Sequence, residues 1–234
     1  MSDTRCLILF TKPAIPGRVK TRLIGRLSAE QAAALHLALL SDALARLGAG
    51  AYQRRVAWAL DGGARAPQLP AGWHAVHQVG DDLGARLHAA LADAGRSHRL
   101  VAAVGSDHPE LAASTVEEAF LRLEAGADGV LGPAADGGYY LVALRREALD
   151  PALFRGIAWS TPAVLPATLE RARALGLRLE QLTLGHDLDD AEGLARLVRR
   201  LRAGEVRAPM PHTRALLARW DLVPATAAWP AEVA

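Results

Sequence analysis

The chain has 234 residues and 51% hydrophobic side chains, enough to bury a full core as one large α/β domain or two small ones. Its 27 Lys and Arg nearly cancel its 25 Asp and Glu, which argues against wholesale nucleic-acid binding. The single cysteine, Cys6, excludes an intrachain disulfide, and no apolar run approaches the roughly 20 residues of a membrane span.

The chain opens on an apolar stretch too short for a signal peptide, with no small-residue cleavage site after it, so a cytoplasmic protein is expected. "RCLILFT" is a continuous apolar run of strand length, and the loop after it contains Pro13, Pro16 and Gly17. Ser28 and Gln31 form an S-x-x-Q capping box at the head of a long helix that Gly48 is placed to end. "RRVAWAL" and "WHAVHQV" read as the next strands, "DLGARLHAALADAG" as a helix, and "RLVAAVG" as a fourth strand ending at "SDHPEL". Ser114 is expected to cap the helix "TVEEAFLRLEAG".

After Gly126 two short strands, "DGVLGPA" and "YYLVAL", flank the loop "ADGG", which is either a turn or a ligand contact. A helix around "TPAVLPATLERARALG", a strand "LRLEQLTL", the acidic turn "HDLDD" and the helix "AEGLARLVRRLRAG" follow. One domain over residues 1–204, with alternating strands and helices and a largely parallel sheet, fits this order. Residues 205–234, rich in proline and alanine, are expected to form a loosely packed tail.

In open α/β sheets ligands bind beyond the C-terminal strand ends where the chain order reverses, which selects three segments. The first is the loop after strand one, with Lys12, Arg18, Lys20 and Arg22. Lys12 and Lys20 are the only lysines in an arginine-rich chain, and an ammonium is a compact point charge suited to phosphate oxygens. The loop has neither the Walker A nor the dinucleotide glycine spacing, and its alternative reading is a solvated basic loop. The other two segments supply carboxylates: Asp107 after the fourth strand, and Asp187 with Asp189. In an extended segment i and i+2 share a face, so the pair can converge on one hard cation, Mg²⁺ or Mn²⁺. The competing reading makes Asp107 and Asp189 helix caps.

Trp159 and Ser160 either face a substrate or serve as a packing anchor beside a cap, and Tyr139 and Tyr140 alternate faces, so at most one lines a pocket. His108 and His186 flank the proposed site and read more simply as ordinary loop histidines.

"FTKPAIPGRVKTRL", "VGSDHPEL", "GPAADGGYYLVAL", "WSTPAVL" and "HDLDDAEGLARL", in this order, resemble the bacterial arsenosugar-biosynthesis-type glycosyltransferases. These are similar to nucleotide-diphospho-sugar transferases with a single glycosyltransferase-A domain, a Rossmann-like, mostly parallel mixed sheet flanked by helices. "KTRL" and the D-x-D pair also resemble phosphoenolpyruvate, 2-phospholactate and molybdenum-cofactor guanylyltransferases. The resemblance implies that Arg18, Lys20 and Arg22 contact nucleotide phosphates and that Asp107 is a metal ligand, with Asp187 and Asp189 adding metal or phosphate contacts. It places the nucleoside at Gly80, Asp82, Leu83 and Gly84, and the acceptor or sugar at Gly137, Gly138 and Tyr139. Where relatives often read D-T-P-E-D-L this chain has "DDAEGL", which changes the start of the following helix.

The expected activity is a metal-dependent transfer from a nucleotide or nucleotide-sugar donor to a small acceptor, with neither nucleic acid nor a membrane span involved. A homo-oligomer is compatible with these features. Glycosyl transfer would use Asp136 as base. Nucleotidyl transfer from a triphosphate to a phosphorylated acceptor needs little beyond positioning and cations, and gives Lys20 more to do. A non-catalytic nucleotide-binding module is the third reading.

Overall fold

The computed structural model describes residues 4–60 and 65–224. Seven strands form one sheet: β1 (Arg5–Thr11), β2 (Gln53–Trp58), β3 (Trp73–His77), β4 (Leu100–Gly105), β5 (Gly129–Pro133), β6 (Tyr139–Arg145) and β7 (Leu179–Gln181). They lie in the order β3-β2-β1-β4-β6-β5-β7, and β6 runs antiparallel to both its neighbours while the other pairings are parallel. The helices are α1 (Ala29–Leu47), α2 (Leu83–Gly95), α3 (Ala113–Glu124), α4 (Val164–Ala174), α5 (Ala191–Arg202) and α6 (Pro211–Arg219).

The central strands are apolar along their whole length because helices cover both faces, as parallel strands require. Leu7, Leu9, Ala102 and Val104 join Phe120 and Leu123 of α3 on one face, while Cys6, Ile8, Val101 and Ala103 join Leu87 and Leu91 of α2 on the other. Cys6 is fully buried between β2 and β4, and burial pushes its thiol up to about 11. A third cluster joins α1, α5 and α6 through Leu35, Leu39, Leu197, Leu201 and Leu217.

The chain lays down β1, β2 and β3 in one direction and then returns to the far side of β1 with β4. The topological switch therefore falls between β1 and β4, and their C-terminal ends, Phe10 opposite Gly105, open the crevice there.

Gly48 ends α1 as expected, sitting at the C-cap with right-handed backbone angles (φ −65°). Two local expectations need correction. Ser114 is not the cap of α3: the helix begins two residues earlier, with Ala112 at the cap position and no side-chain cap bond.

The stretch after residue 204 is not loose as far as it is described. Val206, Met210, Leu216, Leu217 and Val223 are buried, and α6 packs along α1. Asp42, 1% exposed in the middle of α1, accepts bonds from the backbone amides of His212 (3.0 Å) and Thr213 (2.8 Å) at the start of α6. An anionic acceptor at a helix N-terminus satisfies orphan donors and matches the helix dipole. Residues 225–234 of the expected tail lie outside the described residues.

Candidate functional site

The loop from Lys12 to Arg22 lies over the C-terminal end of β1. Lys20 closes it in a left-handed conformation (φ 48°, ψ 38°) just before a single 3-10 turn, Thr21–Leu23, whose Leu23 is fully buried. A non-glycine residue rarely adopts that conformation. It turns the lysine inward, where its side chain is 3% exposed. The ammonium lies 2.5 Å from Asp107 Oδ1 and 3.4 Å from Asp189 Oδ1, and it also donates to the carbonyl of Leu188. Lys12, Arg18 and Arg22 remain exposed, and among the described residues none of the three is ion-paired.

Neither Asp107 nor Asp189 is a helix cap. The cap of α5 is Asp190, whose Oδ1 accepts from Gly193 N at 2.8 Å, and α3 starts beyond Asp107 without a side-chain cap. The altered "DDAEGL" thus starts its helix with Asp190 and leaves Asp187 and Asp189 to the crevice. The turn is pinned by the Leu188 amide, which donates to the Asp107 carbonyl at 2.9 Å.

The electrostatics reflect this crowding. Burial, with the nearby charges of Asp107, Asp189 and Asp136, pushes Asp187 up to about 7. Burial and Asp107 also raise Asp189. Burial works against the Asp107 carboxylate too, but the Lys20 ammonium outweighs it and holds its pKa below the usual range.

The predicted metal trio is thus brought to one end of the crevice without forming a chelating cluster. Among the described residues, no three His, Cys, Asp or Glu side chains are gathered to hold a metal as they stand, and a lysine ammonium lies against Asp107 and Asp189. The donor set nevertheless fits a hard cation: it is all oxygen, it already holds one cation, and Asp187 Oδ1 is buried without a hydrogen-bond partner.

Beside this end lies a cavity of about 220 Å³. Leu83, Tyr139, Trp159 and Val164 form apolar walls, and Asp136, Ser160, Thr161 and Asp187 supply polar groups. No lysine or arginine lines it. Tyr139 and Trp159 meet edge to face with centroids 6.3 Å apart. Tyr140 also borders the cavity, contrary to the one-tyrosine expectation, although its hydroxyl points away to donate to the Thr183 carbonyl (3.1 Å). Asp136 Oδ1 accepts from Gly138 N at 2.9 Å, and Gly137 between them has φ 89° with Pro162 so close that a Cβ would meet it at 2.5 Å.

The "GDDLG" segment forms the start of α2. Asp82 is the helix cap, accepting from Ala85 N at 2.7 Å, and the Gly80 carbonyl accepts from Arg86 Nε at 2.9 Å. Gly84 is a close approach: a Cβ there would lie 2.6 Å from the Phe154 carbonyl oxygen and 2.7 Å from Trp159 Nε1. Of the four, Leu83 reaches the cavity itself. His108 packs edge-on against Tyr140 with centroids 4.6 Å apart, and burial pushes it down to about 4, so it is a neutral packing residue.

One part of the site escaped the sequence reading. Thr11, His36 and Ser106, all buried, form a polar bridge under the loop: Thr11 Oγ1 lies 3.1 Å from Ser106 Oγ and 3.3 Å from His36 Nε2, which is 3.0 Å from the Lys12 carbonyl. Burial depresses the His36 pKa, and because a carbonyl can only accept, His36 Nε2–H is the donor to Lys12. The available signal was a lone histidine within the apolar "ALHLALL" of α1.

The fold and part of the sequence recur in other proteins. A protein from Desulfovibrio desulfuricans G20, provisionally described as a nucleotide-diphospho-sugar transferase, superposes with a TM-score of 0.85 at 32% identity, over 94% of this chain and 96% of that one. Rv0371c of Mycobacterium tuberculosis H37Rv, solved in complex with manganese, shares the fold at 19% identity and a TM-score of 0.50, over 84% and 98% of the two chains. A CMP:2-keto-3-deoxy-manno-octonic acid synthetase in complex with CTP shares it at 14% identity and a TM-score of 0.52, over 86% and 99%. No curated protein matches the sequence. Residues 37–161 match the family described as "Uncharacterized protein conserved in bacteria (DUF2064)". With that match and the Desulfovibrio relative, the chain belongs to the DUF2064 family of bacterial proteins.

Proposed function

We propose that the protein is a divalent-cation-dependent glycosyltransferase that takes a nucleotide-sugar donor and passes the sugar to a small acceptor. The observation that carries this reading is the contrast between the two halves of the crevice. One half has exposed cations, Lys12, Arg18 and Arg22, on a loop at the switch point; the other is a 220 Å³ cavity lined by aromatic rings and carboxylates with no basic side chain. A diphosphate suits the first half. An uncharged, hydroxyl-bearing ring suits the second, since Asp136 accepts hydroxyl hydrogen bonds and the rings of Tyr139 and Trp159 offer apolar faces. The 32%-identical Desulfovibrio protein, described as a nucleotide-diphospho-sugar transferase, supports the same class of donor, and the motifs quoted above resemble the arsenosugar-type branch.

In this reading Asp107, Asp187 and Asp189 hold Mg²⁺ or Mn²⁺, which neutralises charge on the departing diphosphate. The manganese complex of Rv0371c supports such an ion on this fold. Arg18, Lys20 and Arg22 add cationic contacts to the phosphates, and Leu83 with the start of α2 borders the nucleoside. Asp136, oriented by the Gly138 amide, takes the proton of the acceptor hydroxyl as that oxygen attacks the anomeric carbon.

The second reading is nucleotidyl transfer, supported by the shared fold of the CTP-bound synthetase. In its guanylyltransferase-like form this reaction takes a phosphorylated acceptor, for which the cavity offers no counter-charge. A thermal-shift panel of nucleoside triphosphates and nucleotide sugars, with and without Mn²⁺, separates them. Glycosyl transfer requires stabilisation by an intact nucleotide sugar beyond that by its diphosphate, with release of that diphosphate on turnover. Stabilisation by triphosphates alone, with pyrophosphate release, would replace this reading with the second.

A further inference from the structure

Lys20 does more than supply a cation to the loop. Its ammonium is withdrawn from solvent and seated against Asp107 and Asp189, with the Leu188 carbonyl as a third acceptor. These are two of the three carboxylates assigned to the divalent cation, so the lysine and the metal compete for the same oxygens. Three oxygens surround the one ammonium, two as hydrogen-bond acceptors and Asp107 Oδ1 as an ion-pair partner at 2.5 Å, which makes this a built seat rather than a chance contact. The backbone supports it: Lys20 holds φ 48° without being glycine, and the buried Leu23 anchors the turn that follows. Meanwhile the cations that are free to meet a ligand first, Lys12, Arg18 and Arg22, are exposed on the same loop.

We propose that Lys20 is a built-in counter-ion that keeps bare divalent cations out of the site, so that the metal enters together with the nucleotide phosphates that draw Lys20 away. The inference rests on the metal-dependent reading above. It makes metal and nucleotide mutually dependent: the phosphates give the displaced ammonium a new anionic partner, and the metal gives the vacated carboxylates a new cation. By the reciprocity of linked binding, each ligand then tightens the other. It also resolves the scarcity of lysine, because a rotatable ammonium on a flexible stem exchanges carboxylates for phosphates where a planar guanidinium fork does not.

Two measurements on the full chain test it. The first is Mn²⁺ binding without nucleotide, by electron paramagnetic resonance, for the wild type and for Lys20→Met. If Lys20 occupies the seat in nine molecules of ten or more, the variant binds Mn²⁺ at least about tenfold tighter. The second uses the wild type alone and so does not depend on the variant folding. With ¹⁵N-lysine the chain gives two side-chain signals, from Lys12 and Lys20, and the buried Lys20 ammonium is protected from solvent exchange. That signal persists with millimolar Mg²⁺ alone and is lost or shifted when Mg²⁺ is added with a nucleoside diphosphate. Equal Mn²⁺ affinity of the two proteins, or a Lys20 signal unmoved while Mg²⁺ and diphosphate saturate the site, overturns the proposal and leaves the metal reading standing. Absence of Mn²⁺ binding by either protein, with or without diphosphate, overturns both.

Discussion

Asp189 and Asp190 are adjacent in sequence and do unrelated work: Asp189 Oδ1 lies 3.4 Å from the Lys20 ammonium, while Asp190 Oδ1 takes the Gly193 amide at 2.8 Å and starts α5. Asp190→Ala should therefore cost about 1 kcal/mol of stability, the usual loss for a helix cap, and leave nucleotide binding intact. Asp190→Asn should restore the stability. Urea denaturation of both variants, with nucleotide titrations alongside, checks the division of labour.

Asp107→Asn removes the main partner of a buried ammonium, so the variant should lose about 1–3 kcal/mol of stability without metal as well as its response to Mn²⁺. The expected signature is a lowered denaturation midpoint that Mn²⁺, added together with a nucleoside diphosphate, no longer raises beyond the effect of the diphosphate alone. A wild-type Mn²⁺ response would remove Asp107 from the metal site.

Lys20→Ala should weaken nucleotide binding in the presence of metal by about 1.5–3 kcal/mol, the range for hydrogen bonds to a charged group. Lys20→Arg should also impair it, since the wider guanidinium must enter a slot where the lysine is 3% exposed. Calorimetric titration with a nucleoside diphosphate and Mn²⁺ measures both, and an Arg variant that binds like the wild type contradicts the steric argument.

Asp187 makes stability depend on pH. Its folded value, about 7, lies above its ordinary value of 3.8, so the folded protein binds the extra proton between these limits. Stability from this group is present at low pH and declines as pH rises from about 4 to 7. Asp189 shifts in the same direction and Asp107 in the opposite one, so the comparison must be with a variant. Without metal, Asp187→Asn should be more stable than wild type at pH 8, by on the order of 2 kcal/mol, and the difference should shrink by pH 5. Urea melts at the two pH values decide it.

Gly84→Ala places a methyl group against the Phe154 carbonyl and the Trp159 indole, at 2.6 and 2.7 Å. Such overpacking should cost about 1–3 kcal/mol. It should also displace Trp159 from the cavity wall, so weaker binding of a nucleotide sugar than of its diphosphate is the expected readout.

Much of this arrangement was legible because it depends on periodicity and order. The buried runs "RCLILFT" and "RLVAAVG" became the two strands flanking the switch point, and the segments after them met as expected. The capping box at Ser28 formed as written. What escaped depends on three-dimensional partners. Nothing local in "VKTRL" says that Lys20 turns inward to two carboxylates far along the chain, and nothing in "ALHLALL" says that His36 supports the Lys12 carbonyl. The packing of α6 was missed for a related reason. Its proline- and alanine-rich sequence has weak amphipathic contrast, and the buried Asp42 that receives it reads in isolation as one polar position of α1.

Cys6 gives the molecule its own clock. It is the single thiol of the chain, fully buried in β1 between two strands, and its raised pKa leaves almost none of the reactive thiolate at neutral pH. A disulfide reagent can reach it only when the helices covering this face of the sheet lift away, so its labelling rate reports how often the layer that includes α2 opens. A cysteine introduced on the surface would react far sooner, and the crevice can be fitted with a single probe while Cys6 stays in place.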